Sequence, residues 1–365
     1  MMAARPPRPG TARRPPVAPP TLPAVLLTGA IVPLDHEIAA AVDDVWSALG
    51  RPGRWLSGAE RVALAAECRA AAAGRRGDDP LLDDHRRDLV ARIVHDPAGL
   101  HDLDDDELLG DLLVDEYVEL AAVASKVVAV DHLVAGLGAR TLPLPTPLPG
   151  EPTRVRPAGA ADLGARVPML TPDQLADEIG PGTYHVNVRR AHSLVPEEAA
   201  QQIRLVEACY VPDLLAHGLE GRRGLQRAQI EALATRVSSL NRCFYCSAGH
   251  ALLLTASGAE DGADVVGASQ GGDAGIDHGI ELLALADAMV RDQPPLVEAR
   301  AACAAVLDDT QLLGAVATVA AFVLLNRVAD TSGIALDAMA AGALDALPAE
   351  LGLDAAPGAR RTGEV

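Results

Sequence analysis

A carboxylate, two thiols and an imidazole fall within twenty residues of one another in this chain: Glu231, Cys243, Cys246 and His250. Cys243 and Cys246 are three apart, and Cys246 and His250 are four apart. On a helix, positions i, i+3 and i+7 share a face, so both sulfurs and the ring can line one pocket. A thiol in the first turn of a helix meets the positive end of the macrodipole, and Cys-X-X-Cys pairs are a known setting for lowered thiol pKa. His250 is placed to take a thiol proton, and Glu231 to orient or recharge the imidazole. A thiolate that attacks a peroxide becomes a sulfenic acid, which a nearby second thiol closes to a disulfide. Two other readings use the same residues: a four-ligand zinc site, or a pair of inert core cysteines. A thioredoxin-type motif does not fit, because no strand precedes the cysteines and no βαβ pattern surrounds them.

The elements that must position these groups are helical. Leu225, Ile230, Leu233, Val237 and Leu240 recur near the 3.6-residue period, which predicts an amphipathic helix over 225–240. Asn241 predicts a break and an N-cap just before Cys243, with a helix resuming through His250. On one straight helix, Glu231 and Cys243 would lie about 18 Å apart. Their direct contact therefore needs a bend, a water chain or a neighbouring subunit.

Composition sets the fold class. The chain has 365 residues, enough for two domains, and 49% of them are hydrophobic but only 2% aromatic. A core built from Ala, Leu and Val suits closely packed helices, and strand-like alternation is scarce, so an all-α protein is expected. A net charge of −19 argues against nucleic-acid binding, which needs clustered Lys and Arg. Five cysteines do not make a secreted disulfide scaffold. Cys209 and Cys303 read as core thiols, and Cys68, with no partner in sequence, as a residue on a helix face rather than at a site. The apolar run Leu312 to Leu325 is too short for a membrane span and fits a buried helix. The basic, proline-rich N-terminus reads as a disordered tail rather than an export signal, so no membrane association is expected and the cytoplasm is the expected location.

Residues 141–168 open with a proline-rich stretch and continue with Gly, Ala and Arg, a semi-extended linker that divides the chain. The expected organisation is a tail over 1–30, a helical repeat over 31–140, the linker over 141–168, a redox domain over 169–355 and a flexible tail over 356–365. The halves resemble each other: Glu116 to Gly138 aligns without gaps on Gln311 to Gly333, and Leu56 onward overlays Leu225 onward. That register puts Val62 opposite Glu231, Gly74 opposite Cys243 and Gly77 opposite Cys246, so the first repeat lacks the redox residues. His132 follows Asp131, which could orient it, yet no thiol or metal ligand lies near in sequence. Asp102 to Glu107 reads as a solvated helix start, and the glycine-rich segment 258–279 as a connector or a flap.

The spacing Glu231-x11-Cys243-x2-Cys246-x3-His250 resembles the signature of the AhpD-like alkylhydroperoxidase family, within the carboxymuconolactone decarboxylase superfamily. The likeness extends to Asn187 to Ala191 and to Leu325 to Gly333, and spans roughly residues 165–340. It implies an all-α, AhpD-like helical fold and a thiol-dependent peroxidase. In such enzymes the second cysteine is peroxidatic and the first resolving, with histidine and glutamate relaying protons. The resemblance assigns these roles to Cys246, Cys243, His250 and Glu231. It also implies a hydroperoxide substrate, a dithiol reductant (lipoyl or thioredoxin-like), no metal or other cofactor, and a homo-oligomer. Tyr245 stands where the best-known members carry a second histidine; it can donate a hydrogen bond but is a poor base, with an ordinary pKa near 10. Two other functions remain open: a decarboxylase or lactone enzyme on the same fold, and a redox sensor or scaffold switched by the disulfide.

Overall fold

The computed structural model describes residues 27–211, 218–259 and 261–359. Of the tails expected over 1–30 and 356–365, residues 1–26 and 360–365 lie outside them. Helices dominate: α1 (His36–Leu49), α2 (Gly58–Ala72), α3 (Asp84–His95), α4 (Asp105–Leu109), α5 (Val114–Gly136), α6 (Pro172–Ile179), α7 (Asn187–Arg190) and α8 (Pro196–Cys209) precede α9 (Arg227–Leu240) and α10 (Phe244–Ala256). There follow α11 (Gly262–Gln270), α12 (Gly279–Arg291), α13 (Leu296–Val306), α14 (Asp309–Ser332) and α15 (Ala338–Ala341). Among the described residues there are no strands, only the isolated bridges Ala161–Met169 and Arg222–Leu225. The all-α expectation holds.

The starts of these helices are written in local chemistry. Ser57 with Glu60, Asp308 with Gln311 and Thr171 with Gln174 each close a capping box, satisfying backbone N–H groups that the first turn leaves free. The acidic run behaves as expected: Asp104 caps α4 and Glu107 returns the bond. Segment 258–279 departs from the connector or flap expected of it. Asp261 caps α11, Gly271 ends it in the left-handed region, and Val265 and Ala268 are buried beside Ala232 and Leu254. Gly262 and Gly267 sit on this helix, which a cap and an apolar face stabilise together.

The two longest helices, α5 and α14, pack side by side at the centre. Every residue of α14 from Leu312 to Ser332 is buried. At Gly314 the missing side chain leaves room for those of Arg223 and Leu225. This helix is long and apolar enough to cross a membrane by length and composition, yet its apolar stretch lies wholly inside the molecule. The small helices are arranged around this pair. In the first half, α2 packs on α3 and α5; in the second, α9 packs on α10, α12 and α14.

Residues 141–168 are mostly non-helical, as the prolines require, but they adhere to the surface of the first half. Trp46 Nε1 donates to the Pro143 carbonyl at 2.7 Å, and the Leu148 N–H to that of Gly50 at 2.7 Å. One continuous apolar cluster runs from Val32 to Ile334 and draws on both halves.

A second feature of the interior is charged. Arg61 of α2, Glu119 and Lys126 of α5, and Glu198 of α8 form a fully buried network. Arg61 pairs with Glu119 and, at 2.7 Å, with Glu198, and Lys126 pairs with Glu198. Burial works to raise the Glu198 carboxyl, but the two cations outweigh it and hold it at about 2. Burial lowers the Lys126 ammonium, and it also pushes Glu119 up despite Arg61.

Candidate functional site

The bend that the sequence requires is one residue long. Asn241 closes α9, and Arg242 adopts a φ of 58°, the left-handed region that a non-glycine side chain enters at a cost. Chain direction reverses there, and α10 returns along α9. The N-cap of α10 is Cys243, not Asn241, whose amide instead donates to Asn326 Oδ1 at 2.8 Å.

The reversal brings His250 onto Glu231. His250 Nδ1 lies 2.7 Å from Glu231 Oε2, so Nδ1–H donates to the carboxylate and Nε2 is the ring nitrogen that faces away from it. The other carboxylate oxygen accepts from Arg227 Nε at 2.5 Å, one turn earlier on α9, and from the Tyr210 hydroxyl. Arg227 also donates to the Tyr210 oxygen at 3.0 Å. Burial of Glu231 works against its charge, but the pull of His250 and Arg227 and the hydrogen bond from Tyr210 win, leaving its carboxyl below the usual range. Phe322 of α14 meets the imidazole edge-on, with ring centroids 4.4 Å apart, and touches Tyr210 at 5.0 Å in the same way. The imidazole is therefore fixed by a carboxylate on one side and aromatic edges on another. Its side chain remains 15% exposed.

The two thiols occupy the first turn of α10, and both are buried. Cys243 is the N-cap of α10 but its side chain makes no cap hydrogen bond. Cys243 Sγ also lies 3.8 Å from the Asn326 carbonyl oxygen. The lowered pKa that the motif suggests does not extend to Cys243. Burial pushes its thiol well up, and the Cys246 thiol and the carboxylate of Asp330 push the same way, against the backbone N–H of Cys246. Cys246 and His250 stand one turn apart on α10, with no hydrogen bond between them among the described residues.

Tyr245 points elsewhere. Its hydroxyl donates to Asp337 just beyond α14, and accepts from the Val188 N–H at 3.4 Å. Burial and the Asp337 charge raise the phenol far above its ordinary range. The tyrosine therefore ties the start of α10 to the C-terminal segment. His132 is likewise occupied: it bonds the Val128 carbonyl at 2.7 Å, while Asp131 pairs with Arg69 instead of orienting it. Burial and Arg327 lower its pKa to about 4. Cys68, Cys209 and Cys303 are buried, with thiols pushed up by burial, to about 12 for the last two.

Tyr210, Arg227, Phe322, Asp330 and His101 were missed in the sequence. Arg227 was legible as an i,i+4 partner of Glu231. The signal for Tyr210 and Phe322 was rarity, since aromatics make up only 2% of the chain. Among the described residues, no group of three or more His, Cys, Asp or Glu side chains gathers as a metal site requires. A cleft of about 540 Å³ lies apart from the thiols, between the start of α1 and the turn carrying Arg222 and Arg223. Compared with known proteins, the chain matches no family model, no curated protein and no solved structure.

Proposed function

We propose that this chain is a thiol-dependent peroxidase that reduces a hydroperoxide at Cys246 and closes a Cys243–Cys246 disulfide. The observation that carries the reading is the Glu231–His250 pair beside the cysteines. The carboxylate fixes the proton on Nδ1, and Nε2 is left as a base one helical turn from Cys246. In the first step His250 takes the Cys246 proton, and the thiolate attacks the terminal peroxide oxygen. The O–O bond breaks, Cys246 becomes a sulfenic acid, and the alkoxide leaves as an alcohol by recovering the proton from His250. Cys243 then attacks the Cys246 sulfur, the S–O bond breaks, and water departs. An external dithiol returns the pair to its reduced state.

Arg227 and Tyr210 hold Glu231 so that its charge stays matched while the imidazole changes protonation. The same reading takes the first half as a duplicated helical unit that lost its redox residues, supported by the paired long helices and by the like placing of α2 and α9. Steady-state turnover of an organic hydroperoxide with a dithiol tests the proposal. Cys246→Ser should abolish turnover; retention of full turnover would defeat the mechanism.

A further inference from the structure

Asp330 of α14 is buried at 3% exposure and carries a carboxylate that the peroxidase cycle above does not use. One oxygen, Oδ1, lies 3.3 Å from Nε2 of His101, a residue of the 3₁₀ turn Pro97–Asp102 in the first half of the chain. The other, Oδ2, has no hydrogen-bond partner among the described residues. A buried carboxylate oxygen left open is costly unless something nearby uses it. What lies nearby is Cys243. Its sulfur sits 3.8 Å from the carbonyl of Asn326, and Asn326 is one helical turn before Asp330 on the same face. The Cys243 thiol and the Asp330 carboxylate stand close enough for each to act on the other's proton.

His101 is not a loose surface group. Its side chain is only 9% exposed, and a Cβ added at Gly358 would come within 3.0 Å of the ring, so the C-terminal segment lies over it. Arg327, about one turn before Asp330, directs its two terminal nitrogens to the carbonyls of Val323 and Val94, so the hydrogen bond to Oδ1 comes from His101.

We infer that Asp330, positioned by His101 from the other half of the molecule, is the proton acceptor for Cys243 during disulfide closure. The inference rests on the peroxidase reading for its place in the cycle, but the proton transfer is a property of any closure of this disulfide. On closure, the Cys243 proton passes to Asp330, and the freed electron pair attacks the Cys246 sulfur. The S–O bond breaks, and the departing hydroxide takes a proton from solvent to leave as water. When a dithiol reduces the disulfide, Cys243 leaves as the thiolate and Asp330 returns the stored proton. Asp330 serves Cys243 as His250 serves Cys246. Burial raises the Asp330 carboxyl, which suits an acceptor that must bind and release a proton.

The decisive variant is Asp330→Asn in the full chain. Two rates separate the steps: trapping of the Cys246 sulfenic acid after peroxide, and closure of the disulfide followed by mass spectrometry. Closure is also driven by diamide, which needs no peroxide chemistry. Asp330→Asn should leave sulfenic-acid formation within about twofold and slow closure by roughly 10²-fold with either oxidant, the size of a lost general base. Asp330→Glu should recover part of that rate, and His101→Gln should slow closure less. A carboxylate that merely repelled the Cys243 thiolate would give the opposite sign, since its removal would ease deprotonation. Closure in Asp330→Asn as fast as or faster than in the parent would therefore overturn the inference. Should Asp330→Asn fail to fold, His101→Gln decides, and an unchanged closure rate there would overturn it. If peroxide yields no sulfenic acid while Asp330→Asn still slows diamide closure, the peroxidase reading falls and the Asp330 assignment stands.

Discussion

Two buried polar clusters in this molecule are made of similar parts and arranged to opposite ends. Around α2 and α5, Arg61, Glu119, Lys126 and Glu198 set two cations against two carboxylates. Around α9 and α10, Arg227 balances Glu231, but the partners that complete the site are Tyr210 and His250, which can hold or release a proton. In the first cluster each charge is matched by a permanent opposite charge, and moving a proton would strand a partner in the interior. In the second, the carboxylate is matched by Arg227 whether or not the imidazole is charged. A buried ion network fixes structure when its charges are all matched among themselves; it can support chemistry when one member is an imidazole beside a nucleophile.

The comparison breaks most sharply at the nucleophile. Cys246→Ser should reduce hydroperoxide turnover to the uncatalysed background while the thermal midpoint stays near that of the parent. Glu231→Gln should lower turnover by roughly 10²-fold or more, because the imidazole loses the group that fixes its tautomer. Glu198→Gln, in the other cluster, should do the reverse. It should cost about 3–5 kcal/mol in urea unfolding, because Arg61 and Lys126 lose their shared partner, with activity per folded molecule little changed. If Glu198→Gln were instead the variant that lost turnover without losing stability, the division of labour between the clusters would be wrong.

Two smaller effects sharpen the picture. His192 is buried beside the first cluster, and burial, with Lys126 adding to it, lowers its pKa from the ordinary 6.5 to about 3. Below pH 6.5 the unfolded chain binds a proton that the folded chain refuses. Stability is therefore present above that pH and falls as pH drops toward 3, by about 1.4 kcal/mol per unit from this residue. His192→Asn should flatten that part of the acid limb, measured by urea midpoints between pH 6.5 and 4. Tyr245→Phe removes a hydrogen bond to the half-buried Asp337 carboxylate and should cost about 1.5–3 kcal/mol. Its effect on turnover should be well below that of Glu231→Gln.

Much of this was legible in the sequence because it is local. The all-α class followed from Ala, Leu and Val in helical period, the helix start at the acidic run 102–107 from its charge, and the meeting of Glu231 with His250 from the need for a bend near Asn241. What escaped the sequence is long-range or conformational. His101 and Asp330 are 229 residues apart and no local pattern links them. The Arg61 network gathers residues from three helices whose neighbours are set only by the packing of the whole. Tyr245 was read with the thiols because it lies between them in sequence, but on α10 its side chain leaves on another face and finds Asp337. The helix within segment 258–279 was hidden because glycine weakens propensity, while a single Asp cap and two buried side chains were enough to restore it.

The central claim is that Cys246 attacks peroxide and Cys243 resolves it. Its most direct test treats the fully reduced chain with one equivalent of hydroperoxide and maps the sulfur products by mass spectrometry. The account predicts one intramolecular Cys243–Cys246 disulfide, reversible by a dithiol, and in Cys243→Ser a trappable sulfenic acid on Cys246. Unmodified thiols at both positions, or a sulfenic acid that forms on Cys243 instead, would contradict it.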